Sequence, residues 1–282
     1  MLLVPAELNK TIDRALSEDL SAGDPTTDAL IPTYLAGAAT ITAREAGVLA
    51  GVDVALAVFR RVDGEVSGRA LLLDGDRLEG GETVATVAGG LASMLKAERT
   101  ALNFLQRMSG IATDTARFVE AVRDTAAVIL DTRKTVPGLR ALDKYSVVVG
   151  GGRNHRHNLG DGVLIKDNHI AALQAEGLSL LQIVRQARAR VPHTLRVQVE
   201  TESLNEVRAA VDAGADALLL DNMSLKEMRA AVEIALGKAL TEASGRVTIE
   251  NVAEIAATGV DMISVGALTH SARALDFGLD YE

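Results

Sequence analysis

The stretch DTRKTVPGLRALDKYSVVVGGGRNHRHNLGDGVLIKDNHI, from Asp131 to Ile170, decides how this chain folds. Three short apolar runs set its rhythm. Ala127–Leu130 leads into Asp131-Thr132-Arg133-Lys134, and Val147–Val149 into three glycines and His155-Arg156. Val163–Ile165 leads into Lys166-Asp167-Asn168-His169. A brief β-type run that ends abruptly in charge reads as a buried strand delivering polar residues at its carboxyl end. The rhythm continues outward. Leu195–Val199 ends in Glu200, Ala217–Leu220 in Asp221-Asn222, Ala239–Ala243 in Ser244-Gly245 and Met262–Val265 in Gly266. Helical segments separate the later runs. Ser224 and Glu227 are spaced as a capping box, and Gly214, Gly237 and Gly259 as helix stops. AVDAGADALLLDN and IAATGVDMISVGA are near-copies of one helix–glycine–Asp–strand unit. Seven strands, each followed by polar or glycine residues, predict an α/β fold of the β/α-barrel type, with the site at the carboxyl ends of the strands.

The same stretch carries an unusual charge. The chain is acidic, at net -9. Between Asp131 and His169, however, seven Lys/Arg face four Asp, and three of the five histidines lie there too. A cationic island in an acidic protein suits a small anion, because the surrounding charge repels a large polyanion. A pI near 5.2 and 2% aromatic residues argue against nucleic acid. Without cysteine there is no disulfide and no thiolate chemistry. No apolar run approaches the ~20 residues that span a bilayer, and the N-terminus lacks the pattern of a secretory signal. The expectation is a cytoplasmic protein with no membrane partner.

Ahead of the barrel, Asn9–Leu20 has helical spacing and is stopped by Gly23-Asp24-Pro25. From Gly37 to Gly90, short β-type runs are punctuated by Asp74-Gly75 and Gly80-Gly81, which supply the positive φ that tight turns need. This predicts a small mixed domain with an antiparallel β unit of barrel-sandwich type, and no lysine at its turn to carry a prosthetic group. A long helix is predicted over Leu91–Met108. Residues 1–110 are expected to form this domain and 111–270 the barrel, with 271–282 packing back on the first domain.

Arginine's planar fork suits carboxylates and phosphates, and lysine acts as a point charge. Arg133, Lys134, Arg156 and Lys166 in one mouth repel one another unless a multiply anionic ligand sits among them. Glu200 and Asp221 have two readings: they pair with Lys166 and Arg133, or they hold a hard divalent cation against ligand phosphates. Ser244-Gly245 and Gly266-Ala267, the latter running into His270, follow the last strands, where this architecture commonly binds phosphate.

The motifs DTRKTVPGLRALDKY, GGGRNHRHNL and LIKDNH closely resemble the quinolinate phosphoribosyltransferase family, and the resemblance runs from Glu18-Asp19-Leu20 to GALTHS. It implies an open, incomplete barrel and a reaction between quinolinate and phosphoribosyl pyrophosphate that yields nicotinate mononucleotide, pyrophosphate and carbon dioxide. It also implies Mg2+ as cofactor, and a homodimer or higher oligomer with shared active sites. Carried across, Arg99 (from the partner subunit), Arg133, His155, Arg156 and Lys166 hold the dicarboxylate. Lys134, Ser244, Gly245, Gly266 and His270 surround the ribose phosphate, and Glu200 and Asp221 take the ribose hydroxyls and magnesium. Lys134, Lys166, Glu200 and Asp221 form the catalytic set. Arg107 keeps the reading of an ordinary helical ion pair. One departure stands out: Ser244-Gly245 is followed by Arg246, where the family commonly has a second glycine.

Three other readings compete. A barrel lyase would use Lys166 as a Schiff-base nucleophile in a dry pocket. A molybdenum-operon relative would have an altered site, against which the retained Arg133, Lys134, Arg156 and Lys166 speak. An anion sensor would bind without turnover.

Overall fold

The computed structural model describes residues 5–281. The elements run α1 (Pro5–Asp19), α2 (Pro25–Leu30), β1 (Ala36–Ala43), β2 (Gly47–Val48), α3 (Val52–Val62), β3 (Ser67–Ala70), β4 (Arg77–Leu78), β5 (Thr83–Gly90) and α4 (Leu91–Ala121). They continue β6 (Val128–Leu130), α5 (Arg140–Val149), β7 (Val163–Ile165), α6 (Asp167–Ala175), α7 (Leu180–Arg190), β8 (Val197–Thr201), α8 (Leu204–Asp212), β9 (Ala217–Asp221) and α9 (Leu225–Ala235). Last come β10 (Leu240–Ser244), α10 (Val252–Ala256), β11 (Met262–Ser264), α11 (Ala267–His270) and β12 (Phe277–Tyr281). Two units result. The first takes the chain up to Ala116, Thr135–Gly151 and everything from Ala267 on; the second takes Arg117–Lys134 and Gly152–Gly266.

In the first unit, β12-β1-β5-β3 form an antiparallel sheet. Ala39, Ile41 and Ala43 of β1 are buried at a two-residue period, so one face turns to a core shared with Val54, Ala55, Val58 and Phe59 of α3 and with Met94, Leu102 and Leu105 of α4. The turn into α3 is made at Gly51, whose φ of +90° and closeness to Met108 (a Cβ there would lie 2.5 Å from Sδ) both demand glycine. Glycine brings no capping side chain. Asp74 caps the helix instead, accepting from the Gly51 and Val52 amides at 2.8 and 3.1 Å. α4 runs past the predicted end at Met108 because Ile111, Ala112, Thr115 and Phe118 keep its buried stripe going.

Arg107, on α4, forms more than an ordinary helical ion pair. Nε and one Nη reach both oxygens of Asp143 at 2.9 Å, and an Nη also donates to the Thr269 carbonyl. The Asp143 side chain is 1% exposed and accepts the Val136 amide as well.

The second unit is a parallel sheet in the order β6-β11-β10-β9-β8-β7. β6 and β7 are its two edges, so the barrel stays open. It has six strands; the expected seventh, Val147–Val149, is instead the last turn of α5. A three-residue apolar run does not separate strand from helix. Here the periodic burial of Leu142, Asp143, Ser146 and Val147 decides for helix. In place of a seventh strand, Arg153 makes a single parallel bridge to Leu130.

The near-copies noticed in the sequence do one job twice. Asp216, just before β9, accepts the Val197 amide of neighbouring β8 at 2.7 Å. Asp261, just before β11, accepts the Thr241 amide of neighbouring β10 at 2.7 Å. Each Asp pins the start of the strand beside its own. Gly214, Gly237 and Gly259 all sit at positive φ after their helices, and the Ser224–Glu227 capping box is present.

Candidate active site

Register decides which side chains share the concave face of the parallel sheet. Paired residues of parallel strands point the same way, and alternate residues along a strand share a face. Leu164 pairs with Gln198, Gln198 with Ala217 and Glu200 with Leu219. Leu219 pairs with Glu242 and Asp221 with Ser244, and Glu242 with Met262. Lys166, Glu200, Asp221 and Ser244 therefore stand on one face at the carboxyl ends of four adjacent strands. Gln198 and Glu242 lie on the same face, lower down.

Arg133 comes after β6, is partly buried, and its Nε finds no hydrogen-bond acceptor among the described residues. Arg156 lies close enough that Arg133, after burial itself, holds its guanidinium below the usual range. The Arg156 side chain leans on the Gly162 carbonyl at 3.2 Å. Two neighbouring arginines with an unused donor suit an anion.

Across the sheet, Glu200 is half-buried. Burial first, then the carboxylates of Asp167 and Asp221, push its carboxyl above the usual range, and Lys166 works in the opposite direction. Asp167 is not a residue that the sequence singles out. At the first position of a helix it reads as ordinary dipole compensation, and only the structure brings it beside Glu200. Among the described residues no group of three or more His, Asp or Glu converges tightly enough to cage a metal alone. The pair Glu200 and Asp221 still fits Mg2+, which keeps waters and shares its shell with substrate phosphates.

The phosphate-type loops are tightly specified. Gly245 has φ +96°, and a Cβ there would meet Asn222 Oδ1 at 2.3 Å. Asn222, at φ +53°, donates its amide to the Ser244 carbonyl and its side-chain N–H to Asp221 at 2.7 Å. Arg246 adopts φ +47°, which gives the physical reason a second glycine suits this position: a side chain in left-handed backbone costs roughly 1–2 kcal/mol. Arg246→Gly is expected to stabilise the protein by about 0.5–1 kcal/mol after the extra unfolded-state entropy of glycine is subtracted. Urea titration reads this directly, and a loss of stability would show that the Arg246 side chain holds the loop.

His155 is tied into the floor of the sheet. Its Nδ1 accepts the Arg156 amide at 2.7 Å, and its Nε2 faces Gln198 Oε1 at 3.1 Å and Glu242 Oε2 at 3.4 Å. Both ring nitrogens are engaged inside the unit, and the imidazole supports the Arg156 backbone. Lys134 and Gly266 sit in the segments after β6 and β11. Arg99 and His270 belong to the first unit. Arg99 is exposed on α4 and His270 closes α11, its ring nitrogen 2.6 Å from Ser271 Oγ. No helix among the described residues is long and apolar enough to cross a membrane.

An open parallel sheet with paired arginines, paired carboxylates and glycine loops at its carboxyl mouth defines an enzyme that handles multiply anionic substrates. Comparison with known proteins makes the class particular. Residues 24–109 match the model of the quinolinate phosphoribosyl transferase N-terminal domain, and 111–280 that of the C-terminal domain. The nicotinate-nucleotide pyrophosphorylase [carboxylating] of Mycobacterium leprae is 48% identical over 96% of this chain and 95% of its own. The probable enzyme of the same name from Bacillus subtilis is 39% identical over 97% and 93%. The crystal structure of NadC from Streptococcus pyogenes superposes with a TM-score of 0.94 at 42% identity, covering 100% of this chain and 99% of that one. The chain belongs to the quinolinate phosphoribosyltransferase family.

Proposed function

We propose that this protein transfers the phosphoribosyl group of phosphoribosyl pyrophosphate to quinolinate with loss of the 2-carboxylate, giving nicotinate mononucleotide, pyrophosphate and carbon dioxide in NAD biosynthesis. What supports the reading is the Arg133–Arg156 pair, with its unused donor, in the same unit as the neighbouring Glu200 and Asp221 carboxylates. Two guanidinium forks match a ligand with two adjacent carboxylates. Lys166, close to Glu200, adds a point charge. Held this way, the pyridine nitrogen is presented to the ribose carbon, and orientation supplies much of the acceleration.

As pyrophosphate leaves, the ribose carbon gains positive charge, which the carboxylates of Glu200 and Asp221 favour. Mg2+, held by these two residues, would supply charge neutralisation on the departing pyrophosphate. Ser244, Gly245, Gly266 and Lys134 suit the 5'-phosphate. Once the ring nitrogen is quaternary, it stabilises the carbanion left by carbon dioxide until a proton from solvent takes the vacated position on that carbon, and the protein has to hold the remaining carboxylate. Lys166 stands exposed and close to Glu200, which disfavours the dry pocket a Schiff-base lysine needs.

A magnesium-dependent assay with quinolinate, following nicotinate mononucleotide and pyrophosphate together, tests the reading. Turnover with quinolinate and none with nicotinate is the expected result; the reverse, or binding without turnover, refutes it.

The roles of Arg99 and His270 rest on family resemblance. If Arg99 acts in a partner's site, Arg99→Ala and Lys166→Ala proteins, each inactive alone, complement when their subunits exchange. Statistical mixing of a two-fold dimer leaves about a quarter of the sites intact, so about a quarter of wild-type activity should return. No recovery after exchange is verified by native mass spectrometry would remove the shared site.

A further inference from the structure

Beneath the arginine pair, a one-way hydrogen-bond chain crosses the floor of the sheet. Glu242, in the middle of β10, is 1% exposed. A carboxylate can only accept, so Gln198 must turn its N–H toward it; Nε2 to Oε2 is 2.7 Å. Gln198 Oε1 is then the acceptor for His155, which fixes the hydrogen on Nε2, 3.1 Å away. That leaves His155 Nδ1 without a hydrogen, and it accepts the Arg156 amide at 2.7 Å. The His155 amide is itself held by Asp131 Oδ1 at 2.8 Å, so the segment is gripped from both sides. Each donor and acceptor along the chain matches the next, from Glu242 through to the Arg156 amide.

The arrangement is costly. Glu242 Oε1 finds no donor among the described residues, and a buried, half-satisfied carboxylate is a poor way to stabilise a sheet. Leu219 and Met262, its register partners, show that apolar side chains fit this layer. We propose that Glu242 is a positioning residue: through Gln198 and His155 it sets the Arg156 backbone, and with it the guanidinium that meets the dicarboxylate. The chain reaches Arg156 and none of the phosphate loops, so its effect should fall on quinolinate alone. The choice of ligand rests on the function proposed above; the chain itself does not.

The test compares Glu242→Leu with Glu242→Gln. Leucine removes the acceptor and frees the Gln198 amide to rotate. Glutamine keeps an oxygen for it. Glu242→Leu is expected to raise the KM for quinolinate tenfold or more, with the KM for phosphoribosyl pyrophosphate within about twofold and Tm unchanged or higher. Glu242→Gln should recover most of the loss. Equal rises in both KM values, or no rise in either, would overturn the proposal.

Nitrogen-15 NMR of histidine-labelled protein needs neither turnover nor the leucine variant to fold. Wild type should show His155 as the Nε2–H tautomer, and the Nε2 resonance should shift in Gln198→Met, which removes its acceptor at 3.1 Å. An Nδ1–H tautomer in the wild type, or no change in Gln198→Met, would sink the chain whatever the substrate proves to be.

Discussion

Exchanging Arg107 for methionine is expected to cost about 3 kcal/mol of stability, the lower end of the range for removing one partner of a buried ion pair. The lower end applies because the Arg107 side chain is 24% exposed; the Asp143 side chain, at 1%, is not. Methionine fills the volume of the arginine stem but leaves the Asp143 charge to the Val136 amide. Against a total of about 5–15 kcal/mol, this is a large share. Chemical denaturation measures it. The double variant Arg107→Met with Asp143→Leu should regain part of the loss, since no charge is then stranded. A cost below about 1 kcal/mol for the single change would mean that Asp143 finds another partner or takes up a proton.

The second large effect falls on ligand binding. Arg133→Lys keeps the charge but loses the planar fork. Breaking two-point contact at a partly buried site should weaken quinolinate binding by roughly 2–5 kcal/mol, with much less effect on the ribose donor. Because Arg133 leaves Nε without an acceptor among the described residues, the unliganded variant should melt close to wild type. Calorimetric titration with each ligand separately decides the matter. Equal losses for both would dissolve the division between a dicarboxylate end and a ribose end, and a large drop in melting temperature would recast Arg133 as part of the scaffold.

These two arginines illustrate what was legible before the fold was known. Arg133 stood out because it comes after an apolar run and sits in a cluster of like charges, and strand ends are where a parallel sheet delivers function. Six of the seven expected strands were legible for the same reason. Arg107 was not, because its partner Asp143 is a charged residue buried on a helix that also buries Lys144. Such residues read as a solvated face, and three valines after them read as a strand. The floor of the site was hidden for a different reason. Gln198 and Glu242 lie inside strands, where a polar residue signals the exposed face of an alternating pattern. Only the register turns them inward. Asp167 was masked by its place at a helix start.

The pairing of β12 with β1 also bears on how the protein is made. Ala39 is bonded alongside Tyr281, roughly 240 residues later in the chain. At the ~5–20 residues per second of synthesis, β1 waits on the order of 10–50 s for the strand that covers it. Throughout that time an apolar stretch, AGAATITA, presents an open edge on its far side from β5, the kind of edge that recruits other chains. The sheet begun first is therefore finished last. Until β12 is made that edge is uncovered, and loss of β12 would leave it open for good.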